Sequence, residues 1–233
     1  MSANSPFSIY QIAKQAIITG IAQSSDANPI FTTMATFLGN LDDNLSRFEN
    51  ANQLKFDCKP SCDYCCSYRV EARAHEIFYL ANALESLPQD VLTAFKARLD
   101  TTKATTEALT VPEHLATNVR CSLLGEDSLC VAYNARPALC RNAHSTDVSS
   151  CELAYKEPTN QDVPNNRDNA LDQATRSAIL GMNDAFKDMD YDDTGYELNQ
   201  GLWLALTQPE TKTRWLNKEK AFPTLEGNIT TVV

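Results

Sequence analysis

Residues 58–66 read Cys-Lys-Pro-Ser-Cys-Asp-Tyr-Cys-Cys and contain four of the eight cysteines in this 233-residue chain. The other four are Cys121, Cys130, Cys140 and Cys151, separated from one another by eight to ten residues. Cysteines that serve as disulfide partners or core residues would tend to scatter over the whole chain. Thiols confined to one region instead favour one or two thiolate-ligated metal centres.

The spacing of these cysteines is compatible with two kinds of metal centre. Four thiolates complete a tetrahedral Zn2+ site or hold a [4Fe–4S] cluster, and short loops of two or three residues bring such ligands together. Neighbouring side chains usually diverge, so Cys65 and Cys66 face different sites, or only one is a ligand. Eight cysteines could therefore fill two four-thiolate centres with zinc, iron or an iron–sulfur cluster. The predicted metal ligands are Cys58, Cys62, Cys65, Cys66, Cys121, Cys130, Cys140 and Cys151.

Two other residue types near the cysteines are candidates for a part in metal binding. His144 lies four residues after Cys140 and is the best histidine candidate, ahead of His75 and His114. Basic side chains would favour thiolate over thiol and offset the charge of a four-thiolate site, unless they are ordinary surface residues. The basic residues concerned are Lys59, Arg69, Arg73, Arg120, Arg136 and Arg141.

The composition indicates which classes of binding partner and which cellular location to expect. A formal charge of −10 and a pI near 4.8 argue against nucleic-acid binding and against an anionic membrane surface. No stretch approaches the roughly 20 apolar residues of a membrane span, and residues 1–15 show no export signal. We therefore expect a cytoplasmic protein with reduced thiols, whose partners are a metal ion or cluster and a candidate protein partner. Four disulfides in a secreted domain are the alternative.

Hydrophobic periodicity predicts a mainly α fold with little or no sheet. Apolar residues recur every three or four positions over 9–21, 30–48, 71–86, a segment from Pro88, 171–189 and 196–206. Residues 121–141 change pattern and predict a short hairpin or an irregular loop.

These segments predict a division of the chain into parts. An irregular helical domain with cysteine-rich metal-binding loops would span 1–155, with its motif core at 58–151. Residues 156–169 are polar and contain two prolines, so they are interpreted as a linker. Residues 170–233 would then form a C-terminal helical extension.

The same residues resemble a known family. Residues 58–66, then 120–124 (Arg-Cys-Ser-Leu-Leu) and 130–141 (Cys-Val-Ala-Tyr-Asn-Ala-Arg-Pro-Ala-Leu-Cys-Arg), are similar to the CxxCxxCC, or YkgJ-like, cysteine cluster proteins. The resemblance implies zinc or iron chelation and no settled activity. Two departures are a first spacing of three residues instead of two, and Ser122 where proline is common.

The leading interpretation is a metal-binding protein, and the sequence does not decide whether it is an enzyme. One alternative is an iron–sulfur-dependent enzyme, either an oxidoreductase or a protein-modifying transferase; no catalytic residue is identifiable. Residues 58–65 also fit the three-cysteine spacing of radical S-adenosylmethionine enzymes, but no series of βα units follows. The other alternative is metal storage or delivery.

Overall fold

The computed structural model describes residues 5–164 and 166–225, and within these ranges the fold is mainly α, as predicted. One antiparallel two-stranded sheet joins β1 (Glu71–Arg73) to β2 (Gly195–Glu197). The helices are α1 (Pro6–Gln23), α2 (Pro29–Ala51), α3 (Ala74–Leu84), α4 (Gln89–Glu107), α5 (Val111–Leu115), α6 (Ala138–Arg141), α7 (Val148–Lys156), α8 (Asn169–Asp188), α9 (Leu198–Thr207) and α10 (Glu210–Leu216).

The first two helices begin where the sequence supplies both a cap and a proline. The Ser5 hydroxyl accepts the Ser8 backbone N–H, and the Asn28 side chain accepts the Phe31 N–H. Proline follows each cap, where its fixed φ suits the first helical turn. These caps extend α1 and α2 slightly beyond the periodic segments 9–21 and 30–48.

The sheet is the main departure from the predicted elements. The helix predicted from residue 71 begins at Ala74, because 71–73 form β1 and pair with a strand more than 120 residues away. Ala72 lies opposite Tyr196, and both side chains are buried. The helix predicted over 196–206 likewise begins only at Leu198. Periodicity within a short window does not reveal pairing with a distant strand.

The first helix, α1, packs against α8, which lies more than 140 residues further along the chain. Gly181 faces the Tyr10 carbonyl oxygen so closely that a β-carbon there would overlap it. The Tyr10 hydroxyl donates to Asp184 at 2.8 Å, and Lys14 pairs with Asp188 at 2.6 Å. Side chains from both predicted parts, 1–155 and 170–233, therefore contribute to one hydrophobic core. The division into a domain, a linker and an extension stays a prediction.

None of the helices described has the length and apolar character needed to cross a membrane. The segment 121–141, predicted as a hairpin or irregular loop, contains one antiparallel bridge between Leu124 and Cys130. A 3-10 turn at Tyr133–Ala135 and the short helix α6 complete it. This irregular segment contributes Leu123, Ala132, Ala135 and Ala138 to the hydrophobic core and carries three of the cysteines.

Candidate metal centre

One set of cysteines lies where the loop before residue 62 meets the start of α7. The Asp57 backbone N–H donates to the Ser145 carbonyl at 2.9 Å, and its carboxylate accepts the Val148 N–H at 3.1 Å. These bonds bring Cys58 beside the helix that carries Cys151. We call Cys58, Cys62, Cys65 and Cys151 the outer group.

The ionisation of Cys58 reflects this proximity. Burial raises the pKa of the Cys58 thiol, and the nearby Cys62, Cys65 and Cys151 sulfurs raise it further. Burial also raises the pKa of Cys62, again with contributions from Cys65 and Cys151. The four thiols are thus electrostatic neighbours, although their positions in sequence span 94 residues.

A second set of cysteines lies in, or next to, the irregular segment 121–141. The Cys121 backbone N–H donates to the Cys66 carbonyl at 2.8 Å, and the bridge from Leu124 places Cys130 nearby. Cys140 lies on α6, where burial raises the pKa of its thiol to about 12 and Cys65 and Cys130 add to the shift. We call Cys66, Cys121, Cys130 and Cys140 the inner group.

Cys65 and Cys66 lie at the boundary between the two groups. They occupy a 3-10 turn at Tyr64–Ser67. A hydrogen bond between the two thiols is the largest cause that raises the pKa of Cys65, followed by burial. The expectation that Cys65 and Cys66 face different sites, or that only one of them is a ligand, stays a prediction.

The donor chemistry fits a soft metal, while the thiols do not form a closed coordination shell. All eight cysteines are free of disulfide bonds. Among residues 5–164 and 166–225, no three Cys, His, Asp or Glu side chains converge closely enough to hold a metal ion. Thiolate sites commonly acquire their final geometry only when metal binds and thiol protons are released. Two neighbourhoods, each with four thiols, meet the ligand count for such a site.

An ion-pair cluster that is only partly buried ties the inner group to α2. The Asp42 carboxylate binds the Arg136 guanidinium through one oxygen, at 3.0 Å, and the Arg141 guanidinium through the other. Arg141 also donates to the backbone carbonyls of Leu38 and Asn134. Only 1% of the Arg141 side chain is exposed. We call Asp42, Arg136 and Arg141 the arginine clamp.

The arginine clamp affects the thiols as well as the backbone. Burial raises the pKa of Cys130, whereas Arg136 and Arg141 lower it. The two arginines therefore favour the thiolate of Cys130, in the predicted direction, although burial has the larger effect on its pKa. Two of the other basic candidates pair elsewhere, Arg69 with Glu71 and Arg120 with Asp63.

Two further side chains hold the inner group from other helices. The Asn199 amide oxygen, on α9, accepts the Ser122 hydroxyl at 2.8 Å and its backbone N–H at 3.3 Å. The buried Glu76 carboxylate, on α3, accepts the Ala138 N–H at 2.8 Å at the start of α6. Asp42 and Asn199 were not predicted as part of the site, because no local motif marks them and both lie far along the chain from their partners.

The three histidines are buried away from any cluster of three or more donors within the described ranges. His144 packs on Phe56 with ring centroids 4.9 Å apart, and neither of its nitrogens is hydrogen-bonded. His75 stacks on Phe186 at 4.0 Å. Burial lowers the pKa of each histidine, so all three favour the neutral form.

The fold and site together define a helical protein with a cysteine-rich region whose donor atoms suit a soft metal. Residues 57–167 match a family model named CxxCxxCC, whose description is "Putative zinc- or iron-chelating domain". The matched segment covers just under half of the chain and includes all eight cysteines. The search of curated proteins and the search of solved structures returned no match.

Proposed function

We propose that the protein binds zinc or iron through two four-thiolate centres, one formed by the outer group and one by the inner group. The observation that carries the proposal is the pairing of distant loops. The 57–62 loop meets the start of α7, and the backbone at Cys66 meets Cys121. Each contact brings cysteines from both halves of the motif together, as two mixed centres require.

Several features support thiolate ligation over eight inert thiols. The cysteine-bearing loops are fixed by side chains from α2, α3 and α9, so their positions are specified by the fold. Arg136 and Arg141 supply positive charge beside Cys130. A four-thiolate Zn2+ centre carries a net charge of −2, and nearby guanidinium groups would offset part of it.

The proposal includes zinc and iron because thiolates bind both. Bound Zn2+ would supply structural cross-linking, and an iron–sulfur cluster would add electron transfer. A reducing compartment such as the cytoplasm suits either form, because the ligands must stay as thiols or thiolates. The acidic charge favours a protein partner over nucleic acid.

The test is metal and sulfide analysis of the full chain purified without oxygen. We expect about two zinc ions per chain in a colourless protein, or iron with matching acid-labile sulfide and visible absorbance. The paired variant Cys58→Ser/Cys62→Ser should lose half of the metal, and Cys121→Ser/Cys130→Ser the other half.

Two results would contradict the proposal. An intact, reduced wild-type protein without metal would rule out ligation by these thiols. If either paired variant lost all of its metal while remaining folded by circular dichroism, the eight cysteines would form one shared centre.

A further inference from the structure

The part of the chain that forms α1 and most of α2 carries far fewer charges than the rest. Lys14 and Asp26 are the only charged residues among residues 1–41, whereas 21% of the whole chain is charged. Lys14 pairs with Asp188 on α8, and Asp26 lies in the turn between the two helices. Surface helices usually present charged residues to water, and depletion of charge is instead typical of the core of a protein interface.

Apolar side chains on this surface are exposed to water. Ile12 is 62% exposed, and Ala16, one turn later on the same side of α1, is exposed as well. The opposite side of α1 makes the close contact with Gly181 on α8. On α2, three exposed polar residues without charge recur every four positions: Thr32, Thr36 and Asn40. We call Ile12, Ala16, Thr32, Thr36 and Asn40 the α1–α2 face.

A cavity of about 180 Å3 lies between the two helices at this face. Gly20 lets the helices approach there, since a β-carbon on it would come within 2.7 Å of the Thr33 side chain. The volume is below the roughly 300 Å3 of a small-molecule pocket, but a cavity of about 150 Å3 holds a benzene molecule. It therefore suits one apolar side chain better than a cofactor. Among the described residues its lining is uncharged and includes Ala16, Thr36, Phe37 and Asn40.

We propose that two copies of the chain associate through the α1–α2 face, with Ile12 of each copy entering the cavity of the other. A two-fold contact requires one surface that offers both a protruding group and a matching recess. Ile12 and the cavity satisfy this requirement, because Ile12 lies only about 6 Å along the helix from Ala16 in the cavity wall. Pairing would remove two exposed isoleucine side chains from water and fill two cavities.

The distribution of charge favours a second copy over a charged partner. Each copy has a net charge of −10, so two copies repel each other, and a contact made through a face without charges buries none of them. A basic or acidic partner would find no opposite charge on this face. The inference does not depend on the proposed function, because the face lies within residues 12–40, before the first cysteine.

The experiment is analytical ultracentrifugation of the full chain across the micromolar range, with a reductant present to prevent disulfides between copies. We expect the average mass to rise with concentration from the 25.8 kDa of one chain towards twice that value. Raising the salt from about 0.01 M to 0.15 M should strengthen association, because the Debye length falls from about 30 Å to 8 Å and the repulsion between copies is screened.

A matched pair of variants locates the contact. Ile12→Glu would place a carboxylate inside the cavity of the other copy and should raise the dissociation constant by about tenfold or more. Leu115→Glu is the control, since Leu115 on α5 is 64% exposed and lies outside the face. Both residues are exposed, so both variants should keep the circular dichroism and melting temperature of wild type.

Three results would overturn the inference. The first is a wild-type protein that keeps the mass of one chain at every concentration. The second is an equal dissociation constant for Ile12→Glu and Leu115→Glu, which would place the contact elsewhere. The third is weaker association at higher salt, which would show that opposite charges hold the copies together. Metal content is measured separately, so loss of the proposed function would leave this inference standing.

Discussion

The arginine clamp gives the sharpest test of how the fold positions the inner group. Asp42→Asn preserves the shape of the side chain but removes its charge and places an amide donor against one guanidinium group. Each carboxylate oxygen binds a different arginine, so both ion pairs are lost. The amide oxygen keeps a neutral hydrogen bond to one guanidinium, and the amide nitrogen makes a donor–donor contact with the other. The remaining partners of Arg141 are backbone carbonyls, which do not neutralise its charge.

The structure sets the size of the effect. Removing one partner of a fully buried ion pair costs about 3–5 kcal/mol. Arg141 is 1% exposed, but Asp42 is 36% exposed and its charge is partly screened by water. We therefore expect Asp42→Asn to lower the free energy of unfolding by about 2–3 kcal/mol. For a chain of this size, that corresponds to a fall in melting temperature of about 5–10 °C.

The assay is urea unfolding followed by circular dichroism, with scanning calorimetry for the melting temperature. Asp43→Asn is the matched control: it removes the same charge one residue further along α2, where the side chain is exposed. Exposed substitutions of this kind stay within about 0.5 kcal/mol of wild type. If the two variants were equally stable, the arginine clamp would have no role in holding the inner group, and that reasoning would be refuted.

Three further predictions follow from packing, ionisation and metal content. Gly181→Ala should lower the free energy of unfolding by about 1–3 kcal/mol, because its β-carbon would overlap the Tyr10 carbonyl. Gly39→Ala, which has open space around it, should instead stabilise α2 by about 0.5–1 kcal/mol. Equal effects of the two variants in urea unfolding would contradict this prediction. His75 has its pKa lowered to about 3, mainly by burial and then by Arg73. The unfolded chain therefore takes up a proton that the folded chain does not as pH falls from about 6.5 to 3, and stability drops by about 1.4 kcal/mol per pH unit from this group. His75→Gln should flatten the dependence of unfolding free energy on pH in that window by about one proton, and an unchanged slope would show that His75 is protonated in the folded state. Removing metal with a chelator at constant pH should lower the melting temperature, because metal that binds only the folded chain stabilises it, and an unchanged melting temperature would show that the metal does not support the fold.

The sequence predicted the parts of this protein that depend on local pattern. The helices α1, α2, α4 and α8 follow from apolar spacing, and two of them have caps and prolines that mark their starts. The clustering of eight cysteines predicted a metal-chelating region, which the family match to 57–167 supports. Neither the cysteine pattern nor the family match distinguishes zinc from iron, because thiolates bind either metal.

The features that escaped prediction depend on contacts between distant residues. Glu71 pairs with Glu197 across the sheet, so a segment with helical periodicity begins as a strand. Asp42 lies about 100 residues before Arg141, and Asn199 lies 77 residues after Ser122. No window of ten or twenty residues contains both members of any of these pairs. The 3-10 turn at Tyr64–Ser67, which carries Cys65 and Cys66, was likewise not predicted from the identities of neighbouring residues.

The pairing of β1 with β2 has a consequence for how the protein is made. A ribosome adds about 5–20 residues per second. Cys66 therefore leaves it roughly 4–17 s before Cys151, which lies 85 residues later. Asn199 and the β2 strand emerge later still, so the nascent thiols wait without the contacts that enclose them. During that interval the thiols of the half-made chain are open to oxidation and to binding of the wrong ion.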